Sequence, residues 1–143
     1  MTLTGALGYT HFGFEILDMA RILIADDYED NRELLRLMLM TDGHEIREAR
    51  DGRECVEMAQ EEPPDLILVD LSMPELDGWS VLSALRADER TRHIPCVAVS
   101  ASATAGRASA LARGFNDYLS KPFRKRELLD IVARLLEADR AGN

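Results

Sequence analysis

The chain has 143 residues, 46% apolar and 30% charged, the size and composition of one globular domain with a sizeable core. Seventeen basic against twenty-six acidic side chains leave a formal charge of −9, which argues against a nucleic-acid backbone as ligand and favours cations or basic partners. Cys55 and Cys96 stand apart with no CxxC, which argues against a metal clip or redox pair and leaves two small reduced core residues.

No apolar run approaches the roughly 20 residues of a membrane span. The N-terminus has neither a basic region nor a continuous apolar stretch, so no signal peptide is expected and the chain is assigned to the cytoplasm. Charge is uneven: residues 1–18 carry −2, residues 19–100 carry −10 and residues 101–143 carry +3.

Residues 1–18 hold three glycines, no Lys or Arg, and Tyr9, Phe12 and Phe14. They read as a weakly ordered N-terminal extension, with a docking or dimerising tail as the alternative. Met19 opens a new texture, and the domain is expected over 19–143.

From Arg21 onward, short apolar runs alternate with amphipathic stretches, the pattern of repeated strand–helix units around a parallel sheet. Ile22 to Ala25 predicts a strand buried on both faces. Leu34, Leu35, Met38 and Leu39 recur at helical spacing, predicting a helix over about 29–42 that Gly43 stops. His44 to Ala49, with Glu45, Arg47 and Glu48 interleaved, suits an edge strand. Cys55, Val56 and Ala59 mark a second helix ended by Pro63-Pro64. Leu66 to Val69 is a buried strand, and Val81, Leu82 and Leu85 mark a third helix that Gly78 bounds. Cys96 to Val99 is a fourth strand, Ala108 to Ala112 a fourth helix, Asp117 to Leu119 a short fifth strand, and Leu128 to Leu136 a fifth helix. The expectation is an α/β fold, a doubly wound five-stranded parallel sheet with five helices.

In such sheets ligands bind outside the carboxyl ends of the strands. Asp26-Asp27 follow the first strand, Asp70 ends the third, Ser100-Ala101 end the fourth, and Lys121-Pro122 follow the fifth. Three converging carboxylates repel one another unless a cation lies between them. An oxygen-only donor set without His or Cys selects Mg²⁺, with Mn²⁺ as the alternative, over zinc. The competing reading of Asp27 is a helix N-cap. Fifteen of the seventeen basic residues are Arg, so a lysine at a strand end stands out as a compact partner for phosphoryl oxygens, against an ordinary solvated lysine. Ser100 has a capping alternative too.

The segments Ile22-Leu23-Ile24-Ala25-Asp26-Asp27, Asp70 to Gly78 (DLSMPELDG), Val99-Ser100-Ala101 and Tyr118-Leu119-Ser120-Lys121-Pro122-Phe123 together resemble the receiver domain of two-component response regulators, over about residues 20–138. The resemblance implies strand order 2-1-3-4-5. It implies Asp70 as phosphoacceptor, attacking a phosphohistidine, and Mg²⁺ held by Asp27, Asp70 and the backbone carbonyl of Ser72, with Asp26 holding its waters. Lys121 and the Ser100 hydroxyl would bind phosphoryl oxygens, with the Ala101 N–H assisting. Ser100 and Tyr118 would form the switch that remodels the face of the fourth helix, fifth strand and fifth helix.

The chain departs from the pattern in three places. Ser100 to Lys121 is about one residue short, Gly106-Arg107 stand where an acid often opens the fourth helix, and Ser72 and Ser102 occupy the two positions that modulate dephosphorylation, so no strongly assisted hydrolysis is expected. A haloacid dehalogenase-type phosphatase would want an acid where Ser72 stands, a flavodoxin-like protein a Ser/Thr-rich phosphate loop in place of Asp26-Asp27, and a P-loop NTPase its GxxxxGK[ST]. A pseudo-receiver that docks without phosphorylation is the remaining alternative.

With only Ala141-Gly142-Asn143 after the fifth helix, the resemblance implies a stand-alone receiver without an output domain. It would be no enzyme beyond its own phosphorylation and slow dephosphorylation. Its partners would be a sensor histidine kinase or histidine phosphotransfer protein and a downstream protein on the less acidic face, with no nucleic acid or membrane, as a monomer or weak dimer.

Overall fold

The apolar runs become strands because each can bury both faces. In a computed structural model of the chain, which describes residues 19–101 and 106–141, β1 (Arg21–Ala25), β2 (Glu45–Ala49), β3 (Leu66–Asp70), β4 (Cys96–Ser100) and β5 (Asp117–Ser120) form one parallel sheet in the order β2-β1-β3-β4-β5. The expected N-terminal extension at residues 1–18, and Ser102, lie outside the described residues. Register pairs Ala25 with Ala49 on one side and with Val69 on the other, and Asp70 with Val99. The strands therefore end together, and the loops that leave them emerge at one edge of the sheet.

The helices are α1 (Glu29–Met40), α2 (Gly52–Glu61), α3 (Gly78–Ala87), α4 (Arg107–Arg113) and α5 (Lys125–Ala141). Side chains alternate across the sheet. Leu23, Ala25, Ile67 and Val69 pack with Cys55, Ala59, Val81, Leu85 and Ala110 from α2, α3 and α4. Ile22, Ile24, Leu66, Leu68, Val97 and Val99 pack with Leu35 and Leu39 of α1 and Leu128, Val132 and Leu136 of α5. Two cores on opposite faces explain why the three central strands read as unbroken apolar runs. Both cysteines are reduced in the first core, where burial pushes the Cys55 thiol up and holds that of Cys96 at about 11.

Helix termini follow local chemistry. Asp51 and Asp77 cap α2 and α3 by accepting the backbone N–H of Glu54 and Ser80. Gly114 ends α4 in the left-handed conformation, at φ 114°, which a side chain would strain. The spacing in α1 is resolved differently from its simplest reading. Arg32, Leu35 and Leu39 face the sheet, while Leu34 is about half exposed together with Leu37 and Met40. Four apolar residues at 34, 35, 38 and 39 span more of the helix circumference than the sheet can cover, so Leu34 is left outward.

Candidate functional site

Asp26 and Asp27 leave β1 at its carboxyl end, in the short connection to α1. Asp26 is held at three points: its N–H donates to the Ala49 carbonyl at 3.2 Å, its carbonyl accepts from Arg32 Nη1 at 2.8 Å, and its Oδ1 accepts the Tyr28 N–H at 2.9 Å. The capping alternative for Asp27 is not realised, since the N-cap of α1 is Tyr28 and no side chain bonds there. Asp70 closes β3, and its Oδ1 accepts the Ser72 N–H at 2.9 Å. Gly78 lets α3 start directly against this strand end, because a Cβ there would stand 2.7 Å from the Asp70 carbonyl oxygen and 2.8 Å from Leu71 Cα.

One carboxylate oxygen each from Asp26, Asp27 and Asp70 lies within 4.8 Å of the others. Lys121 Nζ stands 3.6 Å from Asp26 Oδ2 and 3.6 Å from Asp70 Oδ2, so it is no ordinary solvated lysine. Its backbone N–H donates to the Ser100 carbonyl at 2.9 Å, tying the turn after β5 to the end of β4, and a cis peptide bond joins it to Pro122. Ser100 is fully buried, paired with Ser120 and one position beyond the Val99 that pairs with Asp70. It does not cap α4, whose N-cap is Gly106 without a side-chain bond. Tyr118, on the next strand, is buried. Asp26, Asp27, Asp70, Ser72, Ser100 and Lys121 thus come from the ends of β1, β3, β4 and β5 and the loops after them, and Tyr118 lies within β5 itself.

Electrostatics make the acid cluster unsatisfied on its own. Burial holds the Asp26 carboxyl above its ordinary range, and the Asp70 charge adds to this, against lowering by the Tyr28 N–H, Lys121 and Asn31. Asp26 Oδ2 and Asp27 Oδ1 are buried with no hydrogen-bond partner. Among the described residues, three carboxylates meet one nearby lysine. Buried acceptors without donors, hard oxygens and an excess of negative charge fit a small divalent cation such as Mg²⁺.

Sequence reasoning passed over Arg32. It is 8% exposed and lies on the α1 stripe that Leu35 and Leu39 continue, where a charge would ordinarily mark a solvent-facing position.

A sequence profile for the response regulator receiver domain matches residues 22–133, and the chain belongs to that family, the receivers of two-component signalling. Relatives include the response regulator PleD of Caulobacter vibrioides, 42% identical over 104 residues that are 72% of this chain and 23% of PleD, so the chain spans about a quarter of that protein. The polar-differentiation response regulator DivK of Brucella ovis is 35% identical over 116 residues, 80% of this chain and 94% of DivK. Among solved structures, the receiver domain of a Pseudomonas aeruginosa sensor histidine kinase, with magnesium coordinated in its active-site cleft, superposes with a TM-score of 0.76 at 36% identity, covering 82% of this chain and 98% of that one. A chemotaxis protein of Vibrio cholerae gives 0.74 at 29%, with the same coverage.

Proposed function

We propose that the chain accepts a phosphoryl group on Asp70 from a phosphohistidine and signals by phosphorylation-dependent protein contacts. The observation that carries this reading is the convergence of the Asp26, Asp27 and Asp70 oxygens within 4.8 Å, with Lys121 3.6 Å from two of them. An Asp70 carboxylate oxygen attacks phosphorus, the P–N bond of the phosphohistidine breaks, and the imidazole nitrogen leaves with the electron pair. Lys121 and the Ser100 hydroxyl then hold phosphoryl oxygens, since stabilising the charge of the transferring group is most of the catalysis such a step needs.

Asp27, Asp70 and the Ser72 carbonyl would hold Mg²⁺, and Asp26 its waters. When bound, the ion neutralises charge shared by the acids and the phosphoryl oxygens.

The donor is a histidine kinase or histidine phosphotransfer protein. A cavity of about 180 Å³ lined by Asn31, Leu34, Leu35, Lys121, Pro122 and Phe123 sets the half-exposed Leu34 of α1 beside the lysine, which supports an apolar landing surface there. Output passes through Ser100 and Tyr118 to the face formed by α4, β5 and α5. Tyr118 is buried here, which supports reading that position as one end of the switch. DivK, a response regulator aligned over almost its whole length, supports reading the chain as a receiver that signals in its own right, and no described helix is long and apolar enough to cross a membrane. A stand-alone signalling role fits the DivK alignment.

The test is incubation with a small phosphodonor and Mg²⁺, followed by intact-mass analysis. An adduct of one HPO₃ that is acid-stable, base-labile and absent from Asp70→Ala supports the reading. A folded protein that gains no adduct refutes it, and a hydroxylamine-resistant mark on Ser or His points to other chemistry.

A further inference from the structure

We infer that Arg32 is a positioning residue for the Asp26-Asp27 pair, anchored by Glu48, an inference that rests on the phosphoacceptor reading of the site. Arg32 is 8% exposed, and burying a guanidinium is costly unless its donors are all used. Its fork has two fixed targets. Nη1 donates to the Asp26 carbonyl at 2.8 Å and Nε to Glu48 Oε1 at 3.1 Å. Glu48, on β2, is held in turn by Arg36, whose Nε donates to Oε2 at 3.0 Å.

The target carbonyl belongs to the peptide that joins the two acids. β1 ends at Ala25, and its ladder with β3 ends at Ala25 and Val69, so the Asp26 carbonyl lies beyond the sheet in a residue that is 1% exposed. With Arg32 removed, this buried acceptor loses its donor and the peptide plane is free to rotate. Rotation there swings Asp27 relative to Asp26, which is held separately by the Ala49 carbonyl and the Tyr28 N–H. Arg32 thereby fixes the mutual direction of the two carboxylates. Lysine offers a point charge and cannot reach the carbonyl and Glu48 with the same fixed fork.

Arg36 separates the direct bond to the loop from the anchoring of Glu48. It shares Glu48 and the same helix, and its hydrogen bonds go to Glu48 and to Met40 Sδ rather than to the loop. The experiment is Mg²⁺ titration by isothermal calorimetry on the full chain, for wild type, Arg32→Met, Arg32→Lys and Arg36→Met, at a temperature where circular dichroism shows each folded. The expected result is a Mg²⁺ dissociation constant raised about 10–100-fold in Arg32→Met, about 3–10-fold in Arg32→Lys, and by less than either in Arg36→Met, which loosens Glu48 but leaves the Arg32 bond to the Asp26 carbonyl. Wild-type affinity in Arg32→Met overturns the inference, as does equal weakening by Arg36→Met, which would show that the bond from Arg32 to the Asp26 carbonyl is not what positions the acids. Where Arg32→Met fails to fold, wild-type affinity in Arg32→Lys overturns it. A wild-type chain that takes up no Mg²⁺ at millimolar concentration refutes the reading of the site itself.

Discussion

Asp26→Asn should make the metal-free protein more stable, although it removes a group from the site. At 4.8 Å, the upper limit of the oxygen separations, a pair of like charges costs about 3.5 kcal/mol at an effective dielectric of about 20. Asp26 forms two such pairs, with Asp27 and Asp70, and recovers about 4.6 kcal/mol from Lys121 at 3.6 Å by the same relation. The difference is about 2 kcal/mol against the charged Asp26, before its desolvation is counted. Lys121 is a quarter exposed, so water screens its contribution further. Asparagine keeps the Oδ1 that accepts the Tyr28 N–H.

The variant should therefore melt about 8 °C above wild type at neutral pH, low salt and with a chelator present, taking about 4 °C per kcal/mol at this chain length. The pH dependence has a definite sign. The folded Asp26 carboxyl lies above its ordinary range, so the folded state binds a proton that the unfolded chain has already lost, and wild-type stability falls as pH rises through that raised value. The advantage of the variant is thus absent in acid and grows toward neutrality. Added Mg²⁺ should stabilise wild type and act far less on Asp26→Asn, narrowing or inverting the gap. Thermal denaturation by circular dichroism, with and without chelator across this pH range, measures all three. A variant that melts at or below wild type at neutral pH without metal refutes the electrostatic reasoning.

Gly78→Ala drives a Cβ to 2.7 Å from the Asp70 carbonyl oxygen, and Gly52→Ala drives one to 2.2 Å from that of Leu76. Both should lose about 2–3 kcal/mol in urea unfolding, but only the first should also weaken Mg²⁺ binding, because it displaces the strand end that carries Asp70. Buried Asp117 is clasped by Arg107 at 2.9 Å and by Arg134, both more than half exposed. Asp117→Asn leaves two cations that water can reach and should cost about 1–2 kcal/mol. Arg107→Met with Arg134→Met strands a buried carboxylate and should cost about 3–5 kcal/mol, and the reverse order in urea unfolding would refute this. With Ser72 beside the acceptor rather than an acid or amide, the aspartyl phosphate should outlast seconds, as decay of the adduct in intact-mass measurements would show.

How much of this was legible in the sequence depends on whether local pattern or packing decides. The central strands were legible because burial on both faces leaves no room for polar residues. The acids and Lys121 were legible because parallel strands in register must deliver their ends to one edge. The rotation of α1 was not. Leu34-Leu37-Met40 and Leu35-Leu39 both lie at helical spacing, and the choice between them is made with Arg32, whose head has its partners among the described residues on the sheet side, at Glu48 and the Asp26 carbonyl. A charge that would ordinarily mark the solvent face marks the buried one here. The role of Arg32 was hidden for the same reason, since both of its partners come from other elements.

The positive segment after Ser100 has a different meaning in three dimensions. Arg107 and Arg134 spend their charge on Asp117, and Arg113 lies 4.4 Å from the centre of the Trp79 ring. With Lys121 at the acid cluster, the cations left among the described side chains are Arg124, Lys125 and Arg126, all exposed, at the start of α5. A helix N-terminus carries partial positive charge, so cations there cost about 0.3–1 kcal/mol each, while acids would stabilise. Only Glu127, which accepts the Arg124 N–H at 2.9 Å, works in the favourable sense. The fold therefore does not call for this cluster, and its presence supports the proposal that a downstream protein meets the less acidic face. Replacing all three cations by Gln should raise the melting temperature at low salt, with the gain fading as salt is added. A variant less stable than wild type would show that the cluster serves the fold after all and would remove this support for the partner face.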